Sequence, residues 1–115
     1  MSYDIDIGHH SFNYTSNVAA LFYDHIPATE ETRGGLHQLH GKTGKQAGDI
    51  LADAFDRICA TRADNWSENQ IGDPKFCAIY DADNAWGSTV GGLLFLARIM
   101  AACYQNPHSK VEVCS

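Results

Sequence analysis

The segment from Val90 to Cys103 constrains the fold most. Val90, Leu93, Leu94, Phe95, Leu96, Ala97, Ile99, Met100, Ala101, Ala102 and Cys103 put apolar side chains on almost every face of one predicted helix. It starts at Ser88 or Thr89 and runs to about Gln105, where Asn106-Pro107 stops it. A helix apolar all round belongs at the centre of a fold or under another subunit. The stretch contains Gly91, Gly92 and Arg98 and is too short to span a bilayer.

Two further helices are expected to pack on it. Thr43-Gly44-Lys45-Gln46 reads as a capping box, with Thr43 at the N-cap and Gln46 three residues on. Behind it Ala47, Ile50, Leu51, Ala54, Phe55, Ile58 and Cys59 form one apolar stripe. Val18, Leu21, Phe22 and Ile26 recur at helical spacing, capped by Thr15, Ser16 or Asn17 and stopped by Pro27. A short helical turn is expected from Gly35 to His40, and a polar loop from Arg62 to Lys75. Tyr3, Ile5 and Ile7 alternate with Asp4 and Asp6, and Val111 and Val113 alternate with Lys110 and Glu112. That is the period of half-buried strands. Phe76 to Tyr80 is a third strand candidate. The expected fold is α+β: three main α-helices packed on a small, mostly antiparallel sheet formed near both termini, as a single domain over residues 1–115.

Charge narrows the function. With 8 basic and 14 acidic residues in 115, the net charge is −6. General nucleic-acid binding needs a basic face that releases counterions from phosphates, so it is not expected. An anionic membrane surface is equally unsuited to this chain. The start, Met1-Ser2-Tyr3-Asp4-Ile5-Asp6, is acidic and lacks the apolar core of a signal peptide. Cys59, Cys77, Cys103 and Cys114 are widely spaced and make no C-x-x-C pair, so reduced thiols and a cytoplasmic setting are expected.

Within this acidic chain lies a basic island. Residues 1–32 contain no Lys or Arg, whereas Arg33, His37, His40, Lys42 and Lys45 follow with no acid among them. Gly34, Gly35, Gly41 and Gly44 are interspersed, and the island runs into the Thr43-capped helix. Free amides at a helix start beside lysines suit an anion; a solvated, capped turn is the plainer alternative. A nucleotide-hydrolysing P-loop is excluded by spacing. Five residues separate Gly35 from Gly41-Lys42-Thr43, where four are required.

Other chemistry finds little support. His37 and His40 are three apart and His9-His10 are adjacent, but no Cys or Asp completes a metal-ligand set with them. Asp81-Ala82-Asp83-Asn84 lacks the glycine and the terminal glutamate of a calcium loop. Neither a nucleophile elbow nor a Cys–His pair is legible. No cofactor and no catalytic residue are expected.

The remaining signal is aromatic and polar residues clustered ahead of helix starts. Ser11 to Asn17 encloses Phe12 and Tyr14, and Tyr80 to Ser88 ends in Trp86-Gly87-Ser88. Aromatic faces beside converging donors suit a planar polar ligand such as a nucleotide. The candidate ligand-binding residues are therefore Asn13, Tyr14, Thr15, Asn17, His40, Lys42, Thr43, Lys45, Tyr80, Trp86 and Ser88.

Phe12-Asn13-Tyr14-Thr15-Ser16-Asn17-Val18, Leu39-His40-Gly41-Lys42-Thr43-Gly44 and Trp86-Gly87-Ser88 with its long helix resemble small proteins of tailed-phage genomes. The resemblance spans nearly the whole chain. It implies a phage origin and a host cytoplasmic setting, and it brings no functional residue with it. The expected function is non-catalytic capture of a small phosphate-containing, nucleotide-like ligand, such as a host defence signal. A module that inhibits a host protein or assists phage assembly is the alternative, and a small nucleotide hydrolase a weaker one. A homo-oligomer is expected through the last helix, at Leu94, Phe95, Arg98 and Ala102. Its pocket would join Tyr80, Trp86 or Asn13 of one copy to the basic island of another.

Overall fold

The computed structural model describes residues 2–30, 33–65, 79–82 and 87–114, with the backbone alone described over 59–65. Strand β1 (Ser2–Ile7) turns through Gly8 and His9 into β2 (His10–Thr15). Gly8 sits at φ 57°, a left-handed conformation that a side chain disfavours. Strand β3 (Val111–Cys114) returns along the other side of β1, giving an antiparallel sheet of order β2-β1-β3. The first strand is therefore the central one.

Register follows from alternation. Tyr3 opposes Tyr14, Ile5 opposes both Phe12 and Val113, and Ile7 opposes Val111. Tyr3, Ile5, Ile7, Val111 and Val113 are buried, while Asp4, Asp6, Asn13 and Glu112 are exposed on the outer face.

Helix α1 (Ala19–His25) is entered through a 3-10 turn, Ser16–Val18, at which the Thr15 hydroxyl accepts from the Asn17 amide. It buries Leu21 and Phe22 and ends just before Pro27. A second 3-10 turn, Gly35–Leu39, buries Leu36 and Leu39. Helix α2 (Gly44–Asn65) follows, and helix α3 (Thr89–Gln105) packs along it. Helix α2 reaches Asn65, so the first four residues of the expected loop, 62–65, are helical. Ile79 and Tyr80 are helical rather than extended; the rest of that strand candidate, residues 76–78, lies outside the described residues.

The expected α+β arrangement is thus present, with one added strand. Residues 10–15 form β2 because Phe12 and Tyr14 alternate with Ser11 and Asn13. Ser11 and Asn13 are its outward face.

The capping box forms as its spacing predicts. The Thr43 amide donates to Gln46 Oε1 (3.1 Å), and the Gln46 amide donates to Thr43 Oγ1 (3.3 Å). Helix α3 differs from its all-round apolar appearance. Gly92, Leu93, Phe95, Leu96, Ile99, Ala102 and Cys103 are buried against the chain's own sheet and helices, whereas Val90, Leu94 and Tyr104 face outward. Leu94 is 48% exposed but Phe95 only 5%, and Ala102 is 3% exposed. Of the four expected oligomer contacts, Phe95 and Ala102 are therefore core residues. Gly91 and Gly92 permit close approach from within the chain: the Tyr14 hydroxyl lies over Gly91 and Leu21 over Gly92.

No helix among the described residues is long and apolar enough to cross a membrane. Cys103 is buried and Cys114 exposed, both as free thiols. Burial pushes the Cys103 thiol up to about 11.

Candidate functional site

Strand order decides which of the sequence-predicted residues can act together. The basic island lies against β3. The Gly41 amide donates to the Val111 carbonyl, the Val111 amide to the Lys42 carbonyl, and the Val113 amide to His40 Nδ1 (3.0 Å). Thr43 bridges to Lys110. Asn13, Tyr14 and Thr15 belong to β2, the opposite edge of the sheet. Two inter-strand spacings, about 4.8 Å each, separate the edges before any side chain is counted. His40, Lys42, Thr43 and Lys45 therefore do not share a site with Asn13, Tyr14, Thr15 and Asn17 in one chain.

The start of α2 is also closed to an anion. The Gly44 amide donates to the Ser109 carbonyl (2.7 Å) and the Lys45 amide to the Pro107 carbonyl (3.1 Å). With the Thr43 and Gln46 amides held in the capping box, the free amides expected here are all engaged. Chain reversal after α3 brings these carbonyls over the helix end and satisfies its donors internally. Lys45 turns along the helix to Asp49, with Nζ 2.7 Å from Oδ2. Both side chains are exposed, so this pair adds little stability.

At the opposite edge, β2 and α3 enclose a groove of about 320 Å³ lined by Ser11, Phe12, Asn13, Tyr14, Gly91, Leu94, Phe95 and Arg98. Tyr14 forms its floor. Its ring stacks on Phe95 with centroids 5.5 Å apart, and its hydroxyl reaches the backbone of Ser88. Asn13 is anchored at one wall, its amide nitrogen donating to Asp4 Oδ1 at 2.6 Å. Arg98 stands on the exposed side of α3, and no acid pairs with it among the described residues.

Beyond Tyr14 a second, shallower recess of about 440 Å³ is bordered by Asp81, Ala82, Gly87 and Ser88. It already holds a carboxylate at the start of α3. Asp81 Oδ1 accepts from the Thr89 amide (2.7 Å) and hydroxyl (2.8 Å), while Ser88 Oγ accepts from the Gly91 amide (3.0 Å). An incoming phosphate would meet like charge here. Tyr80 turns away from the groove to donate to Asp24 Oδ2 (2.8 Å), edge-on to the His25 ring. Burial, reinforced by Asp24, raises the Tyr80 phenol well above its ordinary value. Trp86 lies outside the described residues.

The fold thus brings Asn13, Tyr14, Thr15 and Ser88 together where β2 meets the start of α3, while Asn17 lies in the 3-10 turn and lines neither recess. It separates them from the basic island and supplies Arg98 as the nearby cation. Arg98 was legible only as an interface residue, because the register of β2 against α3 is not written in local sequence. Among the described residues no group of three or more His, Cys, Asp or Glu is placed to hold a metal ion. Comparison with protein-family models, curated proteins and solved structures finds no match.

Proposed function

We propose that this protein is a non-catalytic binding protein that captures a small phosphate-containing, nucleotide-like ligand in the β2–α3 groove. The single observation supporting this most is Arg98, a guanidinium without an acidic partner among the described residues, beside the aromatic floor of Tyr14 and Phe95. A guanidinium offers a planar fork of donors to phosphate, and the aromatic floor offers a surface for a base. The resemblance to tailed-phage proteins supplies a setting, the infected cell, in which a nucleotide defence signal is the ligand to be sequestered. In this reading exposed Val90 and Leu94 make the contact between copies of a homo-oligomer, beside the groove that Leu94 borders.

Native mass spectrometry of the protein from cells making nucleotide signals, followed by calorimetry with the released ligand, tests the reading. Arg98→Gln is expected to weaken binding at least about tenfold, the scale of a charge-assisted hydrogen bond. The ligand is expected back chemically intact. Unchanged affinity in Arg98→Gln would remove the groove from consideration. The double variant Lys42→Ala with Lys45→Ala reports whether the island of a second copy completes the groove, since it cannot do so within one chain.

One observation favours a second reading, that of a protein-interaction module. Strand β2 is an edge strand among the described residues, and exposed Leu94 stands beside it. An extended segment of a host protein could add to that edge. Recovery of a protein partner that Arg98→Gln does not disturb, with no retained small molecule, would favour it.

A further inference from the structure

A separate pocket of about 350 Å³ lies between the end of α1, the segment that follows it, the Gly35–Leu39 turn and the exposed side of α2. Nothing in the sequence patterning marks it. Ile26, Pro27 and Ile50 give it apolar walls, while Asp49, Asp53 and Arg57 stand on the α2 side. Its volume is within the range of small-molecule sites.

The decisive residue is Gln38. It is 7% exposed, it borders this pocket, and its side-chain amide has no hydrogen-bond partner among the described residues. A buried amide left unsatisfied is costly, and native proteins seldom keep one without reason. The carboxylates are only partly engaged. Asp49 accepts from Lys45 and from the Tyr104 hydroxyl (2.9 Å), and Asp53 accepts from Arg57 through Oδ2 (2.9 Å). Asp53 Oδ1 retains its acceptor capacity.

We infer that this pocket binds a small planar nitrogen heterocycle carrying an exocyclic amino group next to a ring nitrogen. An amide presents one acceptor and one donor side by side. An amino group beside a ring nitrogen presents the complementary pair, as adenine does to glutamine in nucleic-acid recognition. Ile26, Pro27 and Ile50 cover the ring, and Asp53 accepts a further N–H. Recognition here rests on the Gln38 amide, whereas in the groove it rests on Arg98.

Adenine and 2-aminopyridine are the probes, titrated into the full chain by calorimetry and by ligand-observed NMR. Adenine is expected to bind. Gln38→Met, which keeps the shape and removes the amide, is expected to weaken adenine binding tenfold or more while the melting temperature holds or rises. Ile50→Trp fills the pocket from the α2 side and should abolish binding with the fold retained. Arg98→Gln should leave adenine binding unchanged, which separates this result from that of the groove. The inference is overturned if neither probe binds at millimolar concentration, or if Gln38→Met or Ile50→Trp binds adenine normally. A lower melting temperature in Gln38→Met would overturn it as well.

Discussion

The Tyr14 hydroxyl closes a two-way hydrogen bond with the backbone of Ser88, accepting from its amide at 3.0 Å and donating to its carbonyl at 3.2 Å. One side chain from the edge strand thereby fixes the entry into α3, at the position where Ser88 caps that helix. Tyr14→Phe keeps the stack on Phe95 and removes both bonds. It should cost about 1 kcal/mol, the net worth of a partly exposed hydrogen bond, read as a lower urea midpoint with unchanged slope.

Gly44 is constrained by close approach. A Cβ there would overlap the Asn106 and Cys103 carbonyl oxygens, because the chain leaving α3 crosses directly over the start of α2. Alanine is the better helix former, yet Gly44→Ala should destabilise the protein by about 1–3 kcal/mol, as overpacking does. Gly41→Ala would not serve as its control, since Gly41 sits at φ 77°. Ala52→Gly, on the same helix, measures the propensity change alone. Thermal denaturation of the two variants separates the effects.

The two neighbours Leu94 and Phe95 should respond oppositely. Phe95 is in the core and touches Tyr14 and Phe22, so Phe95→Ala should cost about 3–5 kcal/mol whatever the oligomeric state. Leu94→Asp lies on the exposed side and should leave the melting temperature of the isolated chain nearly unchanged. If copies associate through this face, Leu94→Asp yields monomers in sedimentation velocity. A wild-type chain already monomeric at micromolar concentration would exclude the oligomer.

Acid should weaken the fold through His37. Burial, with smaller effects from Arg33 and His40, holds its imidazole below the ordinary value of 6.5. A depressed folded-state value means that the unfolded chain binds the proton more readily. The associated stability is therefore complete above 6.5 and declines as pH falls from there through the folded value. His37→Phe should flatten the dependence of the urea midpoint on pH between 7 and 5. An unaltered slope would assign the acid sensitivity to other groups.

Helices and the two terminal strands were legible because each rests on one local rule. The Thr43–Gln46 box, the Ala47 to Ile58 stripe and the Asn106-Pro107 stop required no knowledge of the rest of the chain. Strand β2 was harder. Thr15 does cap the following 3-10 turn, so its local chemistry concealed the alternation of Phe12 and Tyr14 just before it. The candidate site was legible only in part, because strand order is a global property. Nothing near Lys42 or Asn13 reveals that β1 stands between them. Gln38 was missed for a related reason: in a turn flanked by Leu36 and Leu39, a single polar residue carries no periodic signal.

The central position of β1 has a consequence for how the chain folds. Ile5 is paired with Val113, so a strand made much later completes the bonding of β1. The β1–β2 hairpin and the three helices rest on local contacts, whereas the β1–β3 ladder closes a loop of more than a hundred residues. Loop closure of that length slows folding far more than it lowers stability. A chain still emerging from the ribosome therefore presents one side of β1 unpaired, held open until β3 arrives.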